Sequence, residues 1–103
     1  MTVDLRDLTH ENTKQYTGDT FHVPFDNGMT IDLVLEEVVV MMEKHLNPRM
    51  KRDAFSWRFR GPLDFRLPQN TYNMTHDKLG ELRVFIVPIG VVPEGALYEA
   101  LFN

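Results

Sequence analysis

The chain contains no cysteine, which removes disulfides, thiolate metal sites, thiol nucleophiles and iron–sulfur clusters together. It contains one serine, Ser56, set between Phe55 and Trp57 without the Gly-x-Ser-x-Gly turn that exposes a nucleophile. The six glycines stand singly at 18, 28, 61, 80, 90 and 95, so no glycine run is available to cradle a phosphate. Histidines at 10, 22, 45 and 76 lack the paired i, i+4 spacing beside a glutamate that marks a zinc helix. No catalytic residue, cofactor or metal ligand is therefore expected, and the chain reads as non-enzymatic. Long apolar runs are also missing: even Val38–Met42 is fenced by Glu36, Glu37 and Glu43, far short of the about 20 apolar residues of a membrane helix. The acidic beginning, Met-Thr-Val-Asp-Leu-Arg-Asp, has no apolar signal core. A soluble, cytoplasmic protein without a membrane partner is the default expectation.

What is present is ordinary globular composition, 43% hydrophobic and 25% charged in 103 residues. That suits one domain, residues 1–103, with a real core. The net charge of −4 hides a polarised chain: residues 1–43 carry −7, residues 44–66 carry +5 and the remainder −2. Either the segments meet and cancel across opposed strands, or a basic surface stays exposed.

Periodicity points to strands. Residues 1–18 form an arm with one short helix, Thr9 as its N-cap and Gly18 past its end, docked by Leu5, Leu8 and Tyr16 onto the sheet or over an open barrel end. Thr20–Asp26 alternates Phe21, Val23 and Phe25 against polar neighbours, with Pro24 predicting an edge or bulge. Asn27-Gly28 then predicts a hairpin. The returning strand loses its alternation at Glu36-Glu37. A β-bulge leading into Val38–Met42 competes with a helix over Leu33–Leu46, and the three consecutive valines favour the strand. Residues 43–53 are a polar, basic loop. Ala54–Arg60 alternates cleanly, with Phe55, Trp57 and Phe59 inward. Thr71–His76, Leu82–Ile89 and Ala96–Phe102 form a closing meander. Leu82–Ile89 is apolar on both faces, which predicts a central strand covered on both sides with Phe85 buried. The fold class is mainly β, a small antiparallel barrel or sandwich of about six strands with one short N-terminal helix.

Two surfaces are candidates for function. Arg58, Arg60 and Arg66, with Arg49, Lys51 and Arg52 of the loop, form a candidate interaction surface unless Asp32, Glu36 and Glu37 neutralise them. A pI near 5.5 argues against nucleic acid, whose binding comes chiefly from phosphate neutralisation. Trp57, Tyr72 and Tyr98 would line the mouth of a small-ligand-binding β-barrel, the alternative function.

Phe59-Arg60-Gly61-Pro62, Leu67-Pro68-Gln69-Asn70-Thr71-Tyr72, His76–Gly80, Phe85-Ile86-Val87-Pro88-Ile89-Gly90 and Tyr98-Glu99-Ala100-Leu101-Phe102-Asn103 together carry a resemblance over roughly residues 5–103. They resemble a small bacterial domain-of-unknown-function family. Asn70 stands where the family pattern has glycine in a Gln-Gly-x-Tyr turn. The resemblance implies no activity, cofactor or catalytic residue. It implies members encoded near tail-collar or fibre-like proteins of phage tails, and hence an accessory or assembly role in a phage-tail-like or secreted structure. The function expected is a structural or protein-interaction module with another protein as partner. Homo-oligomers through an open strand edge are a further possibility.

Overall fold

A computed structural model describes residues 4–103, so the first three residues of the predicted arm lie outside the described residues. Six antiparallel strands follow one another: β1 (Thr20–Pro24), β2 (Thr30–Met42), β3 (Ala54–Gly61), β4 (Asn70–His76), β5 (Gly80–Val92) and β6 (Gly95–Phe102). They close into a barrel in the order β1-β2-β3-β6-β5-β4, so of the two predicted architectures the barrel is the one formed. The C-terminal meander is present as expected, with β6 continuing onto β3. The closing seam is thin, because β1 and β4 share the single pair His22↔Thr75. Pro24 ends β1 beyond that pair, where its missing N–H removes nothing from the seam. Among the described residues, no helix is long and apolar enough to cross a membrane.

The break at Glu36-Glu37 is a bulge and not a helix. The β2–β3 register slips between Leu35 and Glu37, and again between Val40 and Met42. The first slip lets both glutamates face out while Val38 comes opposite Trp57. The β1–β2 ladder stops at Val34, prolonged only by Gly18 N–H to Leu35 O at 2.7 Å and Leu35 N–H to Asp19 O at 3.0 Å. From Glu36 to Met42, β2 is laddered to β3 alone.

Aromatic side chains fill the ring. Trp57 is fully buried, with ring centroids 5.3 Å from Phe21 and 4.8 Å from Phe102; Phe55 stacks on Phe102, also at 4.8 Å. One end is plugged by the N-terminal segment, whose helix α1 (His10–Thr13) starts at a reciprocal cap. Asn12 N–H donates to Thr9 Oγ1 at 3.0 Å, and Thr9 N–H donates to Asn12 Oδ1 at 2.9 Å. Leu8 is buried there, Leu5 and Tyr16 pack on the core, and Trp57 Nε1–H donates to Thr13 Oγ1 at 3.2 Å. His76 belongs to the same plug: buried against Phe21 at 4.5 Å, its Nδ1 accepts the N–H groups of Lys78 and Leu79, which leaves Nε2–H for Asp19 at 2.9 Å. The opposite end is closed by the connection between β3 and β4. Leu67 is buried, its N–H donates to the Tyr98 hydroxyl at 2.8 Å, and the Tyr72 hydroxyl donates to Pro68 O at 2.5 Å.

The expectation that both faces of β5 are covered is corrected. Leu82, Val84 and Ile86 point into the core, whereas Phe85 is 50% exposed and Ile89 and Val91 are similarly open. A barrel has one interior, so a two-sided apolar strand in it leaves one apolar face outside. Phe85→Ala should therefore lose at most about 1 kcal/mol in urea unfolding, while Trp57→Ala should lose about 3–5 kcal/mol. A sharper test lies at the β5–β6 hairpin, where a Cβ on Gly95 would stand 2.5 Å from the Gly61 carbonyl oxygen. Gly95→Ala should cost about 1–3 kcal/mol. Gly90→Ala, with nothing within 4 Å, should change stability by less than about 0.5 kcal/mol in the same titration.

Candidate interaction surface

The six basic residues singled out from the sequence fall in three places. Arg58 and Arg60 stand on the outer wall of β3, where the registers set glutamates beside them. Arg58 Nε lies 3.3 Å from Glu99 Oε2 on β6, and its Nη1 lies 4.0 Å from Glu37 Oε2 on β2. Arg60 Nε lies 2.6 Å from Glu36 Oε1, a contact of charge whose N–H is not aimed at the oxygen. Arg66 sits at the opposite end of the barrel, beside a depression of about 190 Å³ lined by Leu67, Pro88, Val91 and Leu97. Only Arg49, Lys51 and Arg52 come together, on the 43–53 loop, and the fold adds Arg6 to them.

Asp53 builds that loop. Its Oδ1 accepts Lys44 N–H at 2.6 Å and its Oδ2 lies 2.9 Å from His10 Nε2, so one carboxylate joins the two ends of the loop and fastens them to α1. Glu11 Oε1 approaches the same nitrogen at 2.7 Å. These three ligand atoms lie within 4.8 Å of one another and are donor types suited to a cation. As a hydrogen-bonded group, an imidazole N–H between two carboxylates already accounts for them. At the tip, Met50 N–H donates to Asn47 O and Arg49 N–H to Asn47 Oδ1, both at 3.0 Å. Arg52 is a strut: its guanidinium donates to Asn103 O at 3.0 Å, to Leu5 O at 2.8 Å and to Leu8 O, and lies over the Phe55 ring. Arg49 and Lys51 have no side-chain partner among the described residues.

Beside these cations the rim is apolar. Met41, Met42, Met50, Ala54 and Leu101 line a depression of about 450 Å³, and Leu101 is 55% exposed. The loop cations line a second depression of about 520 Å³. Sequence reasoning missed Arg6, Met41, Met42 and Leu101. The signals for the last three were a strand that stops alternating after Val38 and a leucine on the outward register of β6. Trp57, Tyr72 and Tyr98, considered as a pocket mouth, are all buried, and their polar tips are engaged by Thr13, Pro68 and Leu67. Burial raises the Tyr72 pKa, as suits a phenol held as a donor.

The clasp titrates with a defined sign. The Lys44 N–H bond, and after it His10, hold the Asp53 carboxyl below the ordinary carboxylate range. Near the ordinary aspartate value of about 3.9 the unfolded chain therefore binds more protons than the folded one. The stabilisation is complete above that pH and is lost as pH falls through the depressed folded value. Asp53→Asn keeps an oxygen for Lys44 N–H but carries no charge to titrate. Denaturation of both proteins from neutral pH to about pH 2 should show a wild-type advantage that vanishes in acid; a constant gap would contradict the clasp.

No curated protein and no solved structure matches the chain. Residues 8–102, which take in α1, the basic loop and all six strands, match a domain of unknown function, DUF6916, and the chain belongs to that family.

Proposed function

We propose that this protein is a non-enzymatic interaction module that docks another protein at the barrel end formed by Val40–Met42, the 43–53 loop and Leu101–Asn103. The observation that carries the proposal is the rim itself: half-exposed Met41, Met42 and Leu101 stand beside the cations of the loop. Apolar patches of this kind rimmed by charge mark contact sites. Two further observations support it. The Arg58 and Arg60 charges are matched within the sheet, so they offer less to a partner. The interior is filled by Trp57, Phe21 and Phe102, and Tyr72 and Tyr98 serve the opposite plug, which supports docking over the small-ligand alternative. The resemblance to proteins encoded beside tail-collar or fibre-like genes suggests such an assembly protein as the partner and an accessory role for this one.

The test is photo-crosslinking in the native host with the reactive group at Met41, at Leu101 or, as a control, at Asn73 on the outer wall of β4. The expected outcome is one protein captured from Met41 and Leu101 and not from Asn73. Capture from Asn73 alone, or the same background from all three, would refute the docking end.

A further inference from the structure

The two depressions at the docking end adjoin, with Met50 and Asn103 lining both. One half is walled by Met41, Met42, Ala54 and Leu101, the other by Arg6, Arg49, Lys51 and Arg52, and no aspartate or glutamate lines either half. Each half has the volume of an ordinary ligand pocket, roughly 300–1,000 Å³. Charge separates this place from the β3 wall. There, every arginine has a glutamate within reach; here, among the described residues, only Arg6 has an acidic side chain, Asp4 at 2.9 Å. Arg52 is bonded to the main-chain oxygens of Leu5, Leu8 and Asn103, and Arg49 and Lys51 have no side-chain partner among the described residues.

Resting on the docking proposal, we infer that the occupant is an acidic peptide segment with apolar anchors, laid from the methionine-lined half into the basic half. The methionines suit anchors of varied shape, since their unbranched thioether chains repack readily. The cations supply register and orientation by complementary charge. A free phosphate or a bare polyanion would use only the basic half and leave the adjoining apolar half unfilled. A neutral apolar segment would leave Arg49 and Lys51 unmatched at its side.

The experiment is selection of random peptides about a dozen residues long from a display library, with the full chain as bait. The baits are the wild type, Arg49→Glu with Lys51→Glu, and Met42→Glu with Leu101→Glu. All four positions are on the surface, and thermal melting of each variant verifies that it is folded. Selected peptides should carry an acidic run next to apolar residues. Their affinity should fall about tenfold or more in each variant, and also in about 1 M salt, where screening sets in within ~3 Å. Peptides without acidic bias, blocked by the Met42/Leu101 variant alone, would overturn the acidic occupant and leave the docking end intact. No selected peptide, with binding of a single-stranded oligonucleotide lost in the Arg49/Lys51 variant, would overturn it in favour of a polyanion. Peptides indifferent to both variants would overturn the inference and the docking end together.

Discussion

Trp57 lies where the barrel halves meet, against Phe21 of β1, Phe59 of its own strand and Phe102 of β6, and the surrounding structure keeps its indole there. A buried indole N–H needs an acceptor, and Thr13 Oγ1 is that acceptor. Thr13 in turn needs α1 over the barrel end. A four-residue helix has no stability of its own, so it depends on the Thr9–Asn12 cap and on being fastened through His10 to Asp53. Asp53 is also the residue that joins the ends of the 43–53 loop. The chain of dependence thus runs from the core aromatic to the loop that carries the exposed cations. The loop is held at its base, and its tip side chains are left free.

Filling the ring also decides where function can be. The space enclosed by these strands is taken by Phe55, Trp57 and Phe59 from one side and Phe21, Phe102 and Tyr98 from the others. The two ends are stopped by segments whose hydrogen bonds are completed internally. In the proposed docking role, recognition falls to the outside of the barrel, and there the charges are unevenly settled. Exposed pairs such as Arg58 with Glu37 are each worth only about 0.2–1 kcal/mol. Their consequence is therefore less stability than neutrality: they quiet the β3 wall and leave the loop as a basic surface on an acidic protein.

The strands were legible because their periods were clean, and Phe55, Trp57 and Phe59 declared their inward face before any coordinates. The bulge was legible as a failure of alternation at Glu36-Glu37, decided by three β-branched residues that sit poorly in a helix. The outer face of β5 was not legible. Alternation shows that two faces are apolar, but whether the second is covered depends on how the sheet closes, which is set by β1 meeting β4 far away in sequence. The candidate site was half legible for the same reason. Lysines and arginines can be counted in a segment, but Glu99 beside Arg58 and Arg6 beside Lys51 are meetings across the fold. The methionine rim gave only the weak signal of a strand running on past its pattern.

The apolar surface does not stop at the methionines. In the ladder, Leu101 of β6 pairs with Ser56 of β3, and Ser56 pairs with Val39 of β2. On the other side, Phe85 and Leu101 both lie two residues beyond the Val87↔Glu99 pair, on the same outer face. A band of apolar outer positions therefore crosses from β5 to β2 next to the docking end. Ser56 is its one hydroxyl, fully buried and without a partner for Oγ, flanked by Leu101 and Val39, whose side chains offer no acceptor. Half-exposed Phe85, Leu101, Met41 and Met42 accompany it on this side of the barrel. In the proposed docking, a partner's apolar surface would bury the band and leave the basic loop at its border to set the partner's orientation.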